Sequence, residues 1–173
     1  MIACYPGSFN PATIAHVAIA ESAWQQLNLH RVDLIISETA LGKQQQHSVP
    51  SAHARADALR TLLVDRPWIG VVVTPDQLLS EISAGYDILV MGADKWAQIN
   101  EDHWYQSVEA KQHALGSLPR LAIAPRPPYD VPPHATLLTV ARQLWGVSST
   151  GVRSGRRDWQ AGNSDPFGLP SQS

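Results

Sequence analysis

Met1-Ile-Ala-Cys-Tyr-Pro-Gly-Ser-Phe-Asn-Pro-Ala-Thr-Ile-Ala-His-Val-Ala-Ile-Ala20 opens the chain and decides its fold. Ile2 to Tyr5 is a short apolar run suited to an interior strand. Pro6 and Gly7 break it, and Ser8 to Ala12 makes a turn. From Thr13 onward the apolar residues recur at helical spacing. Thr13 is a good N-cap, because its hydroxyl can accept from a backbone N–H of the first turn. His16 stands one turn further on and points back over the same helix mouth. Strand, glycine-bearing turn and helix N-terminus together make an anion site, where N–H groups and the positive end of the helix dipole face whatever lies above the strand. Many α/β domains begin this way, so this stretch alone assigns no function. A second stretch, Val147-Ser-Ser-Thr-Gly-Val-Arg153, sharpens it. It is rich in hydroxyls, runs into a helix start and closes with a guanidinium.

The intervening chain alternates strands and helices. Residues 14–27 read as a helix with Ile14, Val17, Ala18, Trp24 and Leu27 at helical positions. Residues 32–36 read as a strand interrupted by Asp33. A polar stretch from Ser37 to Pro50 reads as a loop. A helix follows over 51–64, with Ala54, Ala58, Leu59, Leu62 and Leu63 on its apolar side. Ile69 to Val73 is a near-continuous β-branched run, as in a strand covered on both faces. A short helix is predicted over 75–83. A strand at 87–91 leads to Gly92-Ala-Asp94. Residues 95–113 read as helical with a break near Asn100. A strand at 121–124 ends at Pro125, and a last strand is predicted at 136–140. This alternation predicts a single α/β domain, a doubly wound parallel sheet over 1–158. Residues 159–173 bear Gly, Ser and Pro and are predicted to be a poorly ordered tail. In such sheets ligands bind beyond the strand carboxyl ends, where strand order reverses. Gly7, Gly92 and Ser148 are therefore expected to open on one edge.

Composition narrows the class. At 173 residues the chain fits one domain and can bury roughly two-thirds of its unfolded surface. Thirteen basic and 15 acidic residues leave a net charge of −2, which gives no support for a nucleic-acid or membrane surface. Cys4 is the only cysteine, so no internal disulfide can form; in an apolar strand it reads as a buried, inert thiol. The seven histidines show no metal spacing. No long apolar segment or signal peptide is visible, so a cytoplasmic protein is expected. The sequence leaves oligomeric state open, a homo-oligomer included.

Gly7-Ser-Phe-Asn-Pro-Ala-Thr-Ile-Ala-His16 resembles the GxF(D/N)PxHxGH signature of the nucleotidyltransferase superfamily, and Ser148-Ser-Thr-Gly-Val-Arg153 resembles its (I/V)SSTxxR signature. Within the superfamily the chain is most similar to the nicotinate- and nicotinamide-mononucleotide adenylyltransferases. Their Gly-Ala-Asp is matched by Gly92-Ala-Asp94, and their Pro-Arg-Pro by Pro125-Arg-Pro127. The four motifs occur in family order over most of the chain. The resemblance implies a Rossmann-like fold and transfer of AMP from ATP to a pyridine mononucleotide, with pyrophosphate released, in NAD biosynthesis. It implies Mg2+ bound with ATP, bridging phosphates rather than sitting in a protein cage.

Residue by residue, the resemblance makes His16 a donor to the α-phosphate and places Thr13 on phosphate. The backbone of Gly7, Ser8 and Phe9 would lie against the nucleotide. Ser148, Ser149 and Thr150 would form the second phosphate-binding mouth, with Arg153 neutralising the distal phosphates. Gly92 and Asp94 would lie near the adenosine. Lys43 would face phosphate from its loop, while Asn10, Trp96, Trp104 and Arg126 are candidates for the acceptor. The sequence also departs from the pattern. Thr13 replaces the first His of the usual His-x-Gly-His, a substitution shared with phosphopantetheine adenylyltransferases. Ala15 replaces its Gly, and the helical segment after Arg153 is reduced. Phosphopantetheine or another small phosphate as acceptor, or a nucleotide-binding module with little turnover, are the alternatives.

Overall fold

The structure is a computed structural model and describes residues 1–39 and 49–162. Among these, β1 (Ile2–Pro6), β2 (Arg31–Ser37), β3 (Ile69–Thr74), β4 (Ile88–Gly92), β5 (Arg120–Ala124) and β6 (Thr136–Leu137) form one parallel sheet. Its order is β3-β2-β1-β4-β5-β6. β1 pairs with β2 on one side and β4 on the other, so the winding direction reverses between β1 and β4. That is the doubly wound, Rossmann-like arrangement, and the reversal leaves a crevice at the strand carboxyl ends.

Helices cover both faces: α1 (Ile14–Gln26), α2 (Ala52–Leu62), α3 (Leu79–Ile82), α4 (Ala93–Ile99), α5 (Val108–Gly116) and α6 (Ser149–Arg153). One core lies between the sheet and α1 and α2, and includes Leu34, Ile36, Leu59, Val90 and Leu138. The other includes Cys4, Ile35, Leu89, Met91 and Ile123, with Ile82 of α3 and Ala93 of α4. Cys4 is fully buried, and burial pushes its thiol up to about 12, which makes it inert.

Tertiary packing redraws several predicted elements. α1 buries Ala15, Ile19, Ala20 and Ala23, a stripe of mostly small side chains, with the larger Val17, Trp24 and Leu27 partly buried against the same core. α2 buries Ala52, Ala56 and Leu59, while Ala54 and Ala58 are exposed. β3 is an edge strand whose residues are all half-buried, and its β-branched run is covered on both faces as expected: Ile69, Val71 and Val73 pack against one core and Val72 against the other. Only Leu79–Ile82 of the predicted 75–83 helix is helical. Thr74 and Asp76 bond to each other at 2.8 Å in a local turn that competes with an earlier start. The expected break near Asn100 is present, and Lys111 of α5 spans it by donating to the Asn100 carbonyl and to Asp102. The last strand stops at Leu137. Beyond it Gln26 of α1 takes over the backbone, donating to the Leu137 carbonyl (2.8 Å) and accepting from the Thr139 N–H (3.0 Å). Of the expected tail, Gln160 and Ala161 pair with Thr13 and Ala12 of the first-motif turn, and residues 163–173 lie outside the described residues.

The aspartate that interrupts β2 has a structural reason. Asp33 is buried and bonded to Arg31 (2.5 and 3.0 Å) and to the Tyr86 hydroxyl (3.0 Å). Gly70 stands opposite it in the β2–β3 register, and a Cβ there would overlap the Asp33 carboxylate. Gly70→Ala should therefore destabilise the fold by about 2 kcal/mol or more, because the methyl displaces a buried, hydrogen-bonded charge. Urea unfolding of the variant checks this; wild-type stability would contradict it.

Candidate active site

A cleft of about 1590 Å³ opens at the carboxyl ends of β1 and β4. Gly7, Ser8, Asn10 and His16 line it from the first motif, Gly92 and Asp94 from the end of β4, Arg126 from beyond β5, and Ser148, Ser149 and Arg153 from α6 and its cap. The two end motifs touch directly. Ser149 Oγ donates to the Pro11 carbonyl at 2.8 Å, and Arg153 donates to the Asn10 carbonyl.

Local chemistry sets the state of His16. Thr13 caps α1, its Oγ1 accepting from the His16 N–H at 3.3 Å. The Thr13 backbone N–H donates in return to His16 Nδ1 at 3.0 Å, which completes a reciprocal capping box with imidazole in the usual place of a carboxylate. Because Nδ1 is an acceptor here, the neutral ring carries its proton on Nε2. Tyr5 and Phe9 flank the ring, with centroids at 6.2 and 5.0 Å. Burial among them, with a smaller contribution from the Arg126 charge, lowers the pKa from 6.5 to about 4. His16 is thus neutral at physiological pH, a fixed N–H donor rather than a base. The unfolded chain takes up this proton near 6.5 and the folded one only near 4, so the stability associated with neutral His16 is lost as pH falls through that window.

Ser148 caps α6 through Oγ, which accepts from the Gly151 N–H at 3.1 Å. Arg153 also donates to Thr150 Oγ1 at 3.1 Å. Arg126, from the third motif, joins the second and fourth: its Nε lies 3.1 Å from Asp94 Oδ2, and its Nη1 donates to the Val147 carbonyl at 3.2 Å. One guanidinium therefore sets the end of β4 relative to the start of the last motif.

Several predicted contacts fall elsewhere. Thr13 is fully buried and absent from the cleft lining, and its hydroxyl is used by the cap, so it orients His16. Phe9 is buried with its ring beneath Gly7, and a Cβ on Gly7 would lie 2.8 Å from that ring. The glycine is thus needed for packing inside the turn, and Phe9 reaches the site through His16. Thr150 is exposed outside the cleft lining and acts on Arg153. Trp96 packs into the core beside His134 and not in the cleft, whereas Trp104 lines the cleft and is 38% exposed. Lys43 lies outside the described residues. Ala15 is buried in the cleft floor, where its methyl is accommodated.

Sequence reasoning missed Arg55. It lines the cleft from α2 and donates to the Ser8 carbonyl and, at 3.1 Å, to the Pro50 carbonyl. It thereby ties the end of the 38–51 segment to the first-motif turn. No local pattern marks it, because its partners are set by how α2 crosses the sheet. Among the described residues, no three His, Cys, Asp or Glu side chains come together as a metal cage. No helix among them is long and apolar enough to cross a membrane.

The switch-point cleft of this Rossmann-like sheet presents an N–H imidazole and a guanidinium from its two end motifs, and the match to a family model makes the protein a nucleotidyltransferase. The chain belongs to the cytidylyltransferase-like family, whose model matches residues 4–155. Among solved structures it is similar to Plasmodium falciparum nicotinic acid mononucleotide adenylyltransferase complexed with NaAD. That match has 17% identity and a TM-score of 0.63, and covers 88% of this chain and 82% of that one. The same enzyme complexed with APC matches at 15% identity and a TM-score of 0.60, with the same coverage. At these identities the likeness bears on the fold. A search of curated proteins found no match.

Proposed function

We propose that this enzyme transfers the adenylyl group of ATP to the phosphate of a pyridine mononucleotide, nicotinate or nicotinamide, and releases pyrophosphate. The observation that carries the proposal is the direct junction of the two end motifs, which sets His16 and Arg153 on one cleft. The names of the structural neighbours support the choice of acceptor.

The attacking oxygen belongs to a phosphate already largely ionised at neutral pH, so the site needs no general base. Positioning and charge neutralisation lower the barrier. His16 Nε2–H donates to the α-phosphate as its oxygens gain charge. Arg153 neutralises the departing pyrophosphate, and Ser149 helps fix the helix that carries it. Asp94, held by Arg126, accepts from a ribose hydroxyl. Ser8 and Asn10 form the cleft wall along the nucleotide, and Trp104 offers a face for the pyridine ring. Magnesium brought with ATP would supply further neutralisation of the phosphates.

The test is pyrophosphate release from the protein with magnesium, either ATP or CTP, and nicotinate mononucleotide, nicotinamide mononucleotide or phosphopantetheine. Release with ATP and a pyridine mononucleotide supports the proposal. Release only with CTP, or only with phosphopantetheine, overturns it.

A further inference from the structure

The family match ends at residue 155, yet the next seven residues are built into the site. α6 has only five residues, too few to hold its own place by helical cooperativity. At Gly155, φ is +111°, a conformation suited to glycine, and the chain reverses there. The Arg156 N–H then donates back to the Gly151 carbonyl at 2.9 Å. The returning segment lays the Trp159 ring on Gly151, so closely that a Cβ at Gly151 would overlap it. Arg156 covers the ring, its guanidinium 4.1 Å from the ring centroid, and is itself gripped by Asp158 at 2.9 and 3.2 Å. Gln160 then forms an antiparallel bridge with Thr13, and the Ala161 N–H donates to the Ala12 carbonyl at 3.0 Å. One short strap therefore touches the helix that bears Arg153 and the residue that caps and orients His16.

We propose that Trp159 is a positioning residue, the wedge through which this strap holds the Arg153 helix against the His16 turn. The proposal rests on the reading of the cleft as a polyphosphate site. Trp159 does not touch the reacting atoms; its removal frees α6 to shift, and shifts of about 1 Å in positioning groups can cost a hundredfold.

Two readouts separate this role from simple support of the fold. The first is calorimetric affinity for inorganic tripolyphosphate, which depends on the polyanion site and not on base or acceptor. The second is the pair of KM values in the pyrophosphate-release assay. Trp159→Ala should weaken tripolyphosphate binding and raise KM for ATP by about tenfold each, with KM for the mononucleotide nearly unchanged. Trp159→Phe, which keeps a flat ring over Gly151, should recover most of both. Gly151→Ala should mimic Trp159→Ala, and the double variant should be less impaired than the two losses combined, because the truncated side chain makes room for the methyl. Folded Trp159→Ala with wild-type tripolyphosphate affinity would overturn the proposal. So would equal loss for both substrates alongside a lowered unfolding temperature, with no recovery in Trp159→Phe. Wild-type protein that binds tripolyphosphate but turns over no pyridine mononucleotide would overturn the proposed function and leave the strap supported or refuted by its own variants. Wild-type protein that binds no tripolyphosphate would overturn both.

Discussion

His16→Ala should lower kcat by about a hundredfold or more, with a much smaller change in ATP affinity, as for loss of one donor aimed at transition-state charge. The reason is the capping box. Thr13 N–H holds Nδ1 as an acceptor, so Nε2 is the donor, and burial beside Tyr5 and Phe9 keeps the ring neutral. Two further results follow. Nitrogen-15 NMR should show the His16 ring protonated on Nε2 alone, with no titration between pH 8 and about 5, because its pKa is lowered to about 4. The rate should likewise show no limb at the ordinary histidine value that disappears in His16→Ala. A ring that titrates near 6.5, or a His16→Ala protein with unaltered turnover, would remove this role. Some loss of stability is also expected, about 1 kcal/mol, since the variant gives up half of the capping box. Turnover is therefore compared at a temperature well below unfolding.

Arg153→Ala should lower kcat/KM for ATP by about a hundredfold to a thousandfold, and unlike His16→Ala it should weaken ATP binding as well as slow the chemical step. Arg153 both faces the cleft and donates to the Asn10 carbonyl, so one substitution removes a phosphate partner and a tie between the two motifs. Arg153→Lys keeps the charge but loses the planar fork, and should recover only part of the loss. Steady-state kinetics with both substrates reads this directly. Full activity in Arg153→Lys would mean that only charge is used, and full activity in Arg153→Ala would remove the residue from the mechanism.

The strand–turn–helix at the N-terminus, the alternation that gives a parallel sheet and the interruption near Asn100 could be read locally, because each depends on residues a few positions apart. Asp33 was visible as an anomaly but not as a pair with Gly70, since that pairing exists only in the β2–β3 register. The motif letters marked His16 and Arg153, yet letters treat every position in a motif alike. Folding divides them: Thr13 and Phe9 turn inward to hold the imidazole, Thr150 supports Arg153, and Trp96 goes to the core.

By itself, then, the amino-acid order determined the class of fold and the edge of the sheet on which ligands are expected. Those follow from periodicity, capping and turn chemistry, which act over a few residues. The tertiary structure alone decided the neutral state of His16, the entry of Arg55 into the cleft and the use of residues 156–162 as a strap. The tautomer of His16 rests on a contact only three residues away, Thr13 N–H to Nδ1, which exists once the helix is capped, whereas Arg55 on Ser8 and the strap on Thr13 join segments far apart in the chain, set by strand order and helix crossing.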